Sequence, residues 1–205
     1  LVYVAKLAEK AGQKKVAIEA LRRLSRARSD DAAPLIRAAR LLISARELEE
    51  AEKLAREAIL REPENAEAYQ VAGRAYLGQE ALAPAIRMFT QAVELSPDHG
   101  YALNNLGFAY LRSGQDEDAV DALTRAAELL PEVAYVHNNL GVALERVGRI
   151  DEAKSAFERA IQLSPRYLKA QLNAQRLQRL ASAGETEAQG EIEEPRYEAD
   201  EAPQE

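Results

Sequence analysis

Between residues 100 and 133 the apolar positions fall into two blocks with helical spacing. Leu103, Leu106, Phe108 and Tyr110 make the first, and Val120, Leu123, Ala126 and Leu130 the second. Recurrence at steps of roughly three and four residues marks the buried face of an amphipathic helix. Gly114-Gln115 separates the blocks, and Asp116 to Asp118 place negative charge at the start of the second, where the helix dipole favours it. Pro131 closes the unit, since proline has no N–H to donate and holds the residue before it in extended backbone. The pattern predicts a hairpin of two helices.

The hairpin recurs. Pro63, Pro97, Pro131 and Pro165 are each 34 residues apart, as are Ala51, Ala85, Ala119 and Ala153, and again Ala58, Ala92, Ala126 and Ala160. Gly73, Gly107 and Gly141 follow the same step of 34. A period shared by four columns predicts a repeat array, in which each unit buries its apolar face only against its neighbours. Small residues in the glycine and alanine columns let the two helices approach closely. Ser96-Pro97-Asp98 and Ser164-Pro165-Arg166 read as turns between units.

These columns resemble the tetratricopeptide repeat family over residues 32–167, in four units: 32–65, 66–99, 100–133 and 134–167. The third and fourth match best, with Asn105-Leu106-Gly107-Phe108-Ala109-Tyr110 and Asn139-Leu140-Gly141-Val142-Ala143-Leu144 at the signature of the first helix. The first unit is weakest, with Ala39 where glycine is usual and Ala55 where a large aromatic is usual. Residues 1–31 fit a divergent or truncated hairpin in which Ser29 replaces the proline. After the last unit, Gln171, Gln175 and Gln178 stand where the inner units carry apolar or small residues, so 168–183 is expected to be a polar-faced capping helix. The resemblance implies an all-α fold, an α-solenoid winding as a right-handed superhelix.

Charge sharpens the division of the chain. Residues 184–205 hold nine acids and one base, a net of −8, whereas 1–183 hold 25 acids and 26 bases, a net of +1. With only Ile192 and Tyr197 as large apolar residues, the acidic segment is expected to be a disordered tail. The chain of 205 residues has no Cys, which rules out a disulfide framework, a thiolate metal site and a cysteine nucleophile. No apolar run approaches the roughly 18 residues that span a bilayer. Lack of cysteine suits a reducing cytosol, slightly favoured here, and a periplasm too, so the compartment stays open. The start at Leu1 reads as a cut from something longer.

Nothing along the chain forms a catalytic constellation. Gly73 to Gln79 has glycines spaced as in a phosphate loop, but Gln79-Glu80 stand where Lys and Ser or Thr are required. His137 shares a column with Tyr69 and Leu103 and is expected to be a packed helix residue; His99, in a turn, is expected to be solvated. No metal-ligand spacing and no cofactor motif is present, and the chain reads as non-enzymatic.

In the family the first helix of each unit lines the concave surface. There Asn105, Asn139 and Asn173 recur at one position, with Asn104 and Asn138 beside two of them. An amide carries two donors and an acceptor and can pair with both groups of an extended peptide backbone; the family is similar in using such ladders. The alternative is that these asparagines are solvated leftovers of duplication. The same face counts eight bases, Arg37, Arg40, Arg74, Arg112, Arg146, Lys169, Arg176 and Arg179, against Glu67 and Glu145. Tyr101, Tyr135 and Phe108 interleave as anchors. The reading is an adaptor binding an extended, acidic segment of another protein in its groove, rather than nucleic acid. A self-assembling component, or the regulatory or targeting portion of a larger enzyme, are the alternatives.

Overall fold

The computed structural model describes residues 1–182, which form eleven α-helices and, within that span, no strand. They are α1 (Val2–Lys10), α2 (Lys14–Ala27), α3 (Ala33–Ser44), α4 (Leu48–Arg61), α5 (Ala66–Gly78), α6 (Leu82–Leu95), α7 (Gly100–Ser113), α8 (Asp116–Leu129), α9 (Ala134–Arg146), α10 (Ile150–Leu163) and α11 (Leu168–Ser182). Each helix packs on the next. In addition α3, α5, α7, α9 and α11 touch in succession, whereas the backbones of α2, α4, α6, α8 and α10 keep apart. The odd-numbered helices therefore crowd along one side and line the inner face, while the even-numbered helices fan out behind them. The chain is an all-α solenoid. The expected acidic tail, 184–205, lies outside the described residues.

Close approach within each hairpin is set by the glycine column. A Cβ at Gly73 would lie 2.5 Å from the Phe89 ring, one at Gly107 2.5 Å from Leu123 Cγ, and one at Gly141 2.6 Å from the Phe157 ring. All three large partners are fully buried. Ala39 and Ala55, which depart from the family pattern, occupy the same two positions of the α3–α4 hairpin and are also fully buried. A methyl gained on one helix is offset by a side chain shortened on the other, so the two departures form one compensated exchange.

Turn geometry repeats with the same step. Gly12, Gly114 and Gly148 have φ of 68°, 75° and 77°, and at the equivalent places Arg46 and Glu80 have φ of 63° and 61°. Only glycine takes this left-handed conformation without a penalty of roughly 1–2 kcal/mol, so two turns are held by the helices they connect. At the other end of each hairpin, Glu62, Ser96 and Leu130 are extended with φ near −130°, −141° and −126°, as the following proline requires. Arg28 has the same geometry, φ −132°, before Ser29, so the turn survives without the proline.

The two ends expose apolar side chains. On α1, Ala5 and Ala8 are buried against the stack, but Leu1, Tyr3, Val4 and Leu7 are exposed. On α11, Ala170, Asn173 and Leu177 are buried, Leu168, Leu172 and Leu180 are exposed, and Gln171 donates to the Pro165 carbonyl at 2.7 Å.

Overpacking the α7–α8 contact tests the glycine column. Gly107→Ala should destabilise the protein by roughly 1–3 kcal/mol. Combining it with Leu123→Ala, which reproduces the Ala39/Ala55 pair, should cost at least about 0.5 kcal/mol less than the two single changes together. Urea unfolding of the four proteins measures this, and strict additivity would show that the pair does not set the helix spacing.

Candidate functional site

Tyr101 and Asn105 stand one turn apart on α7, and Tyr135 and Asn139 stand at the same two positions on α9. Tyr101 is 36% exposed, and the other three are half-buried. Because α7 and α9 touch, these four residues hold matching positions on neighbouring helices.

The remaining asparagines lie deeper. Asn139 Nδ2 donates to Asn104 Oδ1 at 3.0 Å, and Asn173 Nδ2 donates to Asn138 Oδ1 at 3.0 Å. Asn104, Asn138 and Asn173 are 5%, 0% and 8% exposed. They tie α7 to α9 and α9 to α11, where a buried amide without a partner would cost about 1–3 kcal/mol. The sequence reading placed all five on the groove surface; three of them are inside the junctions. One residue of helix rotates a side chain by about 100°, enough to turn Asn104 away from the open face and under the next helix. Phe108 is likewise corrected from anchor to core: it is 8% exposed and lies in an apolar cluster with Leu77, Phe89 and Leu106.

The bases of the inner face are engaged within the fold. Arg37 donates to both oxygens of Glu9 at 2.9 Å, Arg40 pairs with Glu67, and Arg176 donates to Glu145 at 2.7 Å. Arg146 donates to the Leu111 carbonyl at 2.8 Å and lies 3.3 Å from Asp116, while Arg112 lies 3.6 Å from Glu80. Arg74, Lys169 and Arg179 also have interactions of their own. Counting Glu9, Glu80 and Asp116 with Glu67 and Glu145, five acids stand against the eight bases, so the excess is smaller than the helix positions alone indicate. Glu9, Glu80 and Asp116 are not evident from the helix positions because they sit roughly one repeat from their arginines, on turns or neighbouring helices.

His99 is not solvated. It caps α7, its Nδ1 accepting from the Ala102 N–H at 3.3 Å, and its Nε2 lies 3.2 Å from Glu67 Oε1. With Nδ1 accepting, the proton of the neutral ring belongs on Nε2, facing the carboxylate. Asn65, 34 residues earlier, caps α5 through Glu67 N and Ala68 N, so the shared column carried the signal. His137 is half-buried and lies 2.9 Å from the Pro131 carbonyl, so it closes a turn as well as packing. The His99 ring 3.2 Å away, together with Arg40, holds the Glu67 carboxyl below the usual carboxylate range despite burial. Burial instead pushes Glu145 up, against the opposing charges of Arg176 and Arg146. Among the described residues no three His, Asp or Glu side chains are grouped to hold a metal ion, and no helix is long and apolar enough to cross a membrane.

Comparison with known proteins agrees with this architecture. Tetratricopeptide repeat models match residues 36–86, 76–140 and 134–167. The chain belongs to the tetratricopeptide repeat family. YrrB, described as a TPR protein with an unusual peptide-binding site, is similar at 30% identity over 82% of this chain and 87% of its own, with a TM-score of 0.69. MamA shares the fold at 21% identity over 81% of this chain and 97% of its own, TM-score 0.69. A thermophilic TPR protein of Thermus thermophilus, TTC0263, shares it at 19% identity over 87% and 97%, TM-score 0.67. A comparison with curated proteins finds no match.

The Glu67 environment makes a pH prediction. A carboxyl whose pKa is lowered by folding adds stability above the usual carboxylate range and loses it as pH falls through the folded value. Glu67→Gln removes that contribution. The gap in Tm between the two proteins should be widest at neutral pH and narrow below about pH 4. Melting curves from pH 3 to 8 check this, and a gap constant across the range would contradict it.

Proposed function

We propose that this chain is a non-enzymatic adaptor whose inner face holds an extended segment of another protein. The observation that carries the reading is the Tyr101, Asn105, Tyr135, Asn139 patch. Two aromatic rings and two amides recur in register on adjacent helices, on the side of the solenoid where helices crowd. Tyrosine supplies large contact area at small entropic cost, and the amides match the alternating N–H and C=O groups of an extended backbone. YrrB, at 30% identity, is described as having a peptide-binding site, which supports the same use of the fold.

The preference for an acidic segment rests on the remaining excess of bases. Arg112 and Arg146 border the patch, and each keeps a quarter of its side chain exposed while paired with Glu80 or Asp116. A carboxylate of the ligand exchanges with those acids and takes the guanidinium in two-point contact. Such exchange is weakened by salt, as exposed pairs are.

The test is a randomised dodecapeptide display library selected against the full chain, followed by calorimetry. Tyr101→Ala with Tyr135→Ala should lower affinity about tenfold or more, and Tyr101→Ala alone should leave Tm nearly unchanged, whereas Tyr135 also packs on the Leu103, Ala126 and Val136 cluster. Peptides bearing carboxylates should lose affinity as salt rises. Selected peptides that bind the double variant as well as the parent would place the site elsewhere.

A second reading, self-assembly, is favoured by the exposed apolar ends. Leu172 stands at the position of Asn104 and Asn138, which the next repeat covers, and Val4 and Leu7 stand where Ala38 and Leu41 are buried by the preceding helices. Head-to-tail stacking of a second copy would cover both faces. Sedimentation of the full chain separates the readings: oligomers that grow with concentration and vanish in Leu172→Gln support stacking, and a monomer at all concentrations refutes it.

A further inference from the structure

Charge is spread unevenly along the solenoid. Residues 1–28, which build the α1–α2 hairpin, hold eight bases and two acids, a net of +6, whereas 29–183 hold 18 bases and 23 acids, a net of −5. The same hairpin carries six of the thirteen large apolar side chains that stand exposed among the described residues. On α1 the two properties share one stripe. Tyr3, Lys6, Leu7 and Lys10 follow the spacing of a single helix face, opposite the buried Ala5 and Ala8. All four are exposed, Tyr3 at 76% and Leu7 at 56%. Beyond the turn at Gly12, Lys15 and Val16 in the first turn of α2 are exposed as well. Glu9, the one acid of α1, is held by Arg37, and Arg22, Arg28 and Lys14 are drawn to Glu50, Asp31 and the Ser44 carbonyl. Lys6, Lys10 and Lys15 have no acidic partner among the described residues.

We propose that the α1–α2 hairpin docks on an anionic lipid surface. Lysine is a compact, strongly hydrated charge, which suits a field of lipid headgroups better than the two-point grip of an arginine fork. Tyr3, Leu7 and Val16 project beside the lysines, and seating them at the boundary of headgroups and acyl chains buries apolar area that a purely ionic partner does not cover. The hairpin is already folded against α3, so docking orders no new helix. The rest of the chain, at −5 in 29–183 and −8 in 184–205, is repelled by the same surface, so the molecule meets it hairpin first. Docking uses none of the inner-face residues of α7 and α9. It does use Leu7, so it excludes head-to-tail stacking at that end.

Flotation of the full chain with vesicles of equal parts phosphatidylglycerol and phosphatidylcholine tests this. The chain should float with them, bind pure phosphatidylcholine at least about tenfold more weakly, and be released as salt rises. Lys6→Glu, Lys10→Glu and Lys15→Glu together should weaken binding about a hundredfold or more, and Tyr3→Ser with Leu7→Ser about tenfold or more. All five side chains are exposed, so Tm should stay within about 2 °C of the parent. Lys154→Glu, at an exposed lysine of α10, should change binding by less than about twofold. Equal affinity for the two kinds of vesicle, or a loss from Lys154→Glu as large as that from Lys6→Glu alone, would overturn the proposal. So would a lysine-dependent contact seen only with duplex DNA, with a synthetic peptide of residues 184–205, or with a second copy in sedimentation, each of which gives the surface to that partner instead.

Discussion

The distance between the two helices of a hairpin governs everything else in this molecule. A glycine facing Phe89, Leu123 or Phe157 leaves room for a large ring or branched side chain to seat directly on the opposite backbone. That contact fills the hairpin interior and fixes how far the first helix can move outward. Because each first helix is drawn close to its own partner, successive first helices crowd on one side, and a concave face results. At the Ala39/Ala55 pair the methyl gained on the first helix meets a side chain several carbons smaller than Phe89, Leu123 or Phe157, so it has room. A solenoid has no single core, so the contact must be rebuilt in every repeat.

Crowding has a cost that the asparagines meet. Where α7, α9 and α11 press together, polar side chains are trapped, and a trapped amide is tolerable only if it is paired. Asn104 Oδ1 with Asn139, and Asn138 Oδ1 with Asn173, meet that need in part across the junctions, while Asn138 Nδ2 is buried without a partner. The inner-face arginines do the same at the rims, reaching acids about one repeat away. The surface we propose for a partner is centred on α7 and α9, and is more aromatic and amide than cationic.

Much of the architecture was legible because each repeating column has a steric cause. Pro63, Pro97, Pro131 and Pro165 end second helices, and Gly114 and Gly148 make turns that need positive φ. The site was less legible. Asn104 and Asn105 are adjacent and chemically identical, and only the neighbouring helix decides that one is buried in a junction and the other half-buried beside it. Phe108 has the composition of an anchor but lies under α5. The partners of Arg37, Arg112 and Arg146 are distant in sequence and come into reach only through the stacking angle, which no column encodes. His99 was readable in principle, since it shares a capping column with Asn65.

We propose that partner recognition belongs to the inner face. Hydrogen–deuterium exchange of the full chain, with and without a library-selected peptide, tests it most directly. Added protection is expected in α7 and α9, with α5 to a lesser degree, and no change in α4, α6, α8 and α10. Protection confined to those outer helices, or to α1 and α11 at the ends, would contradict it.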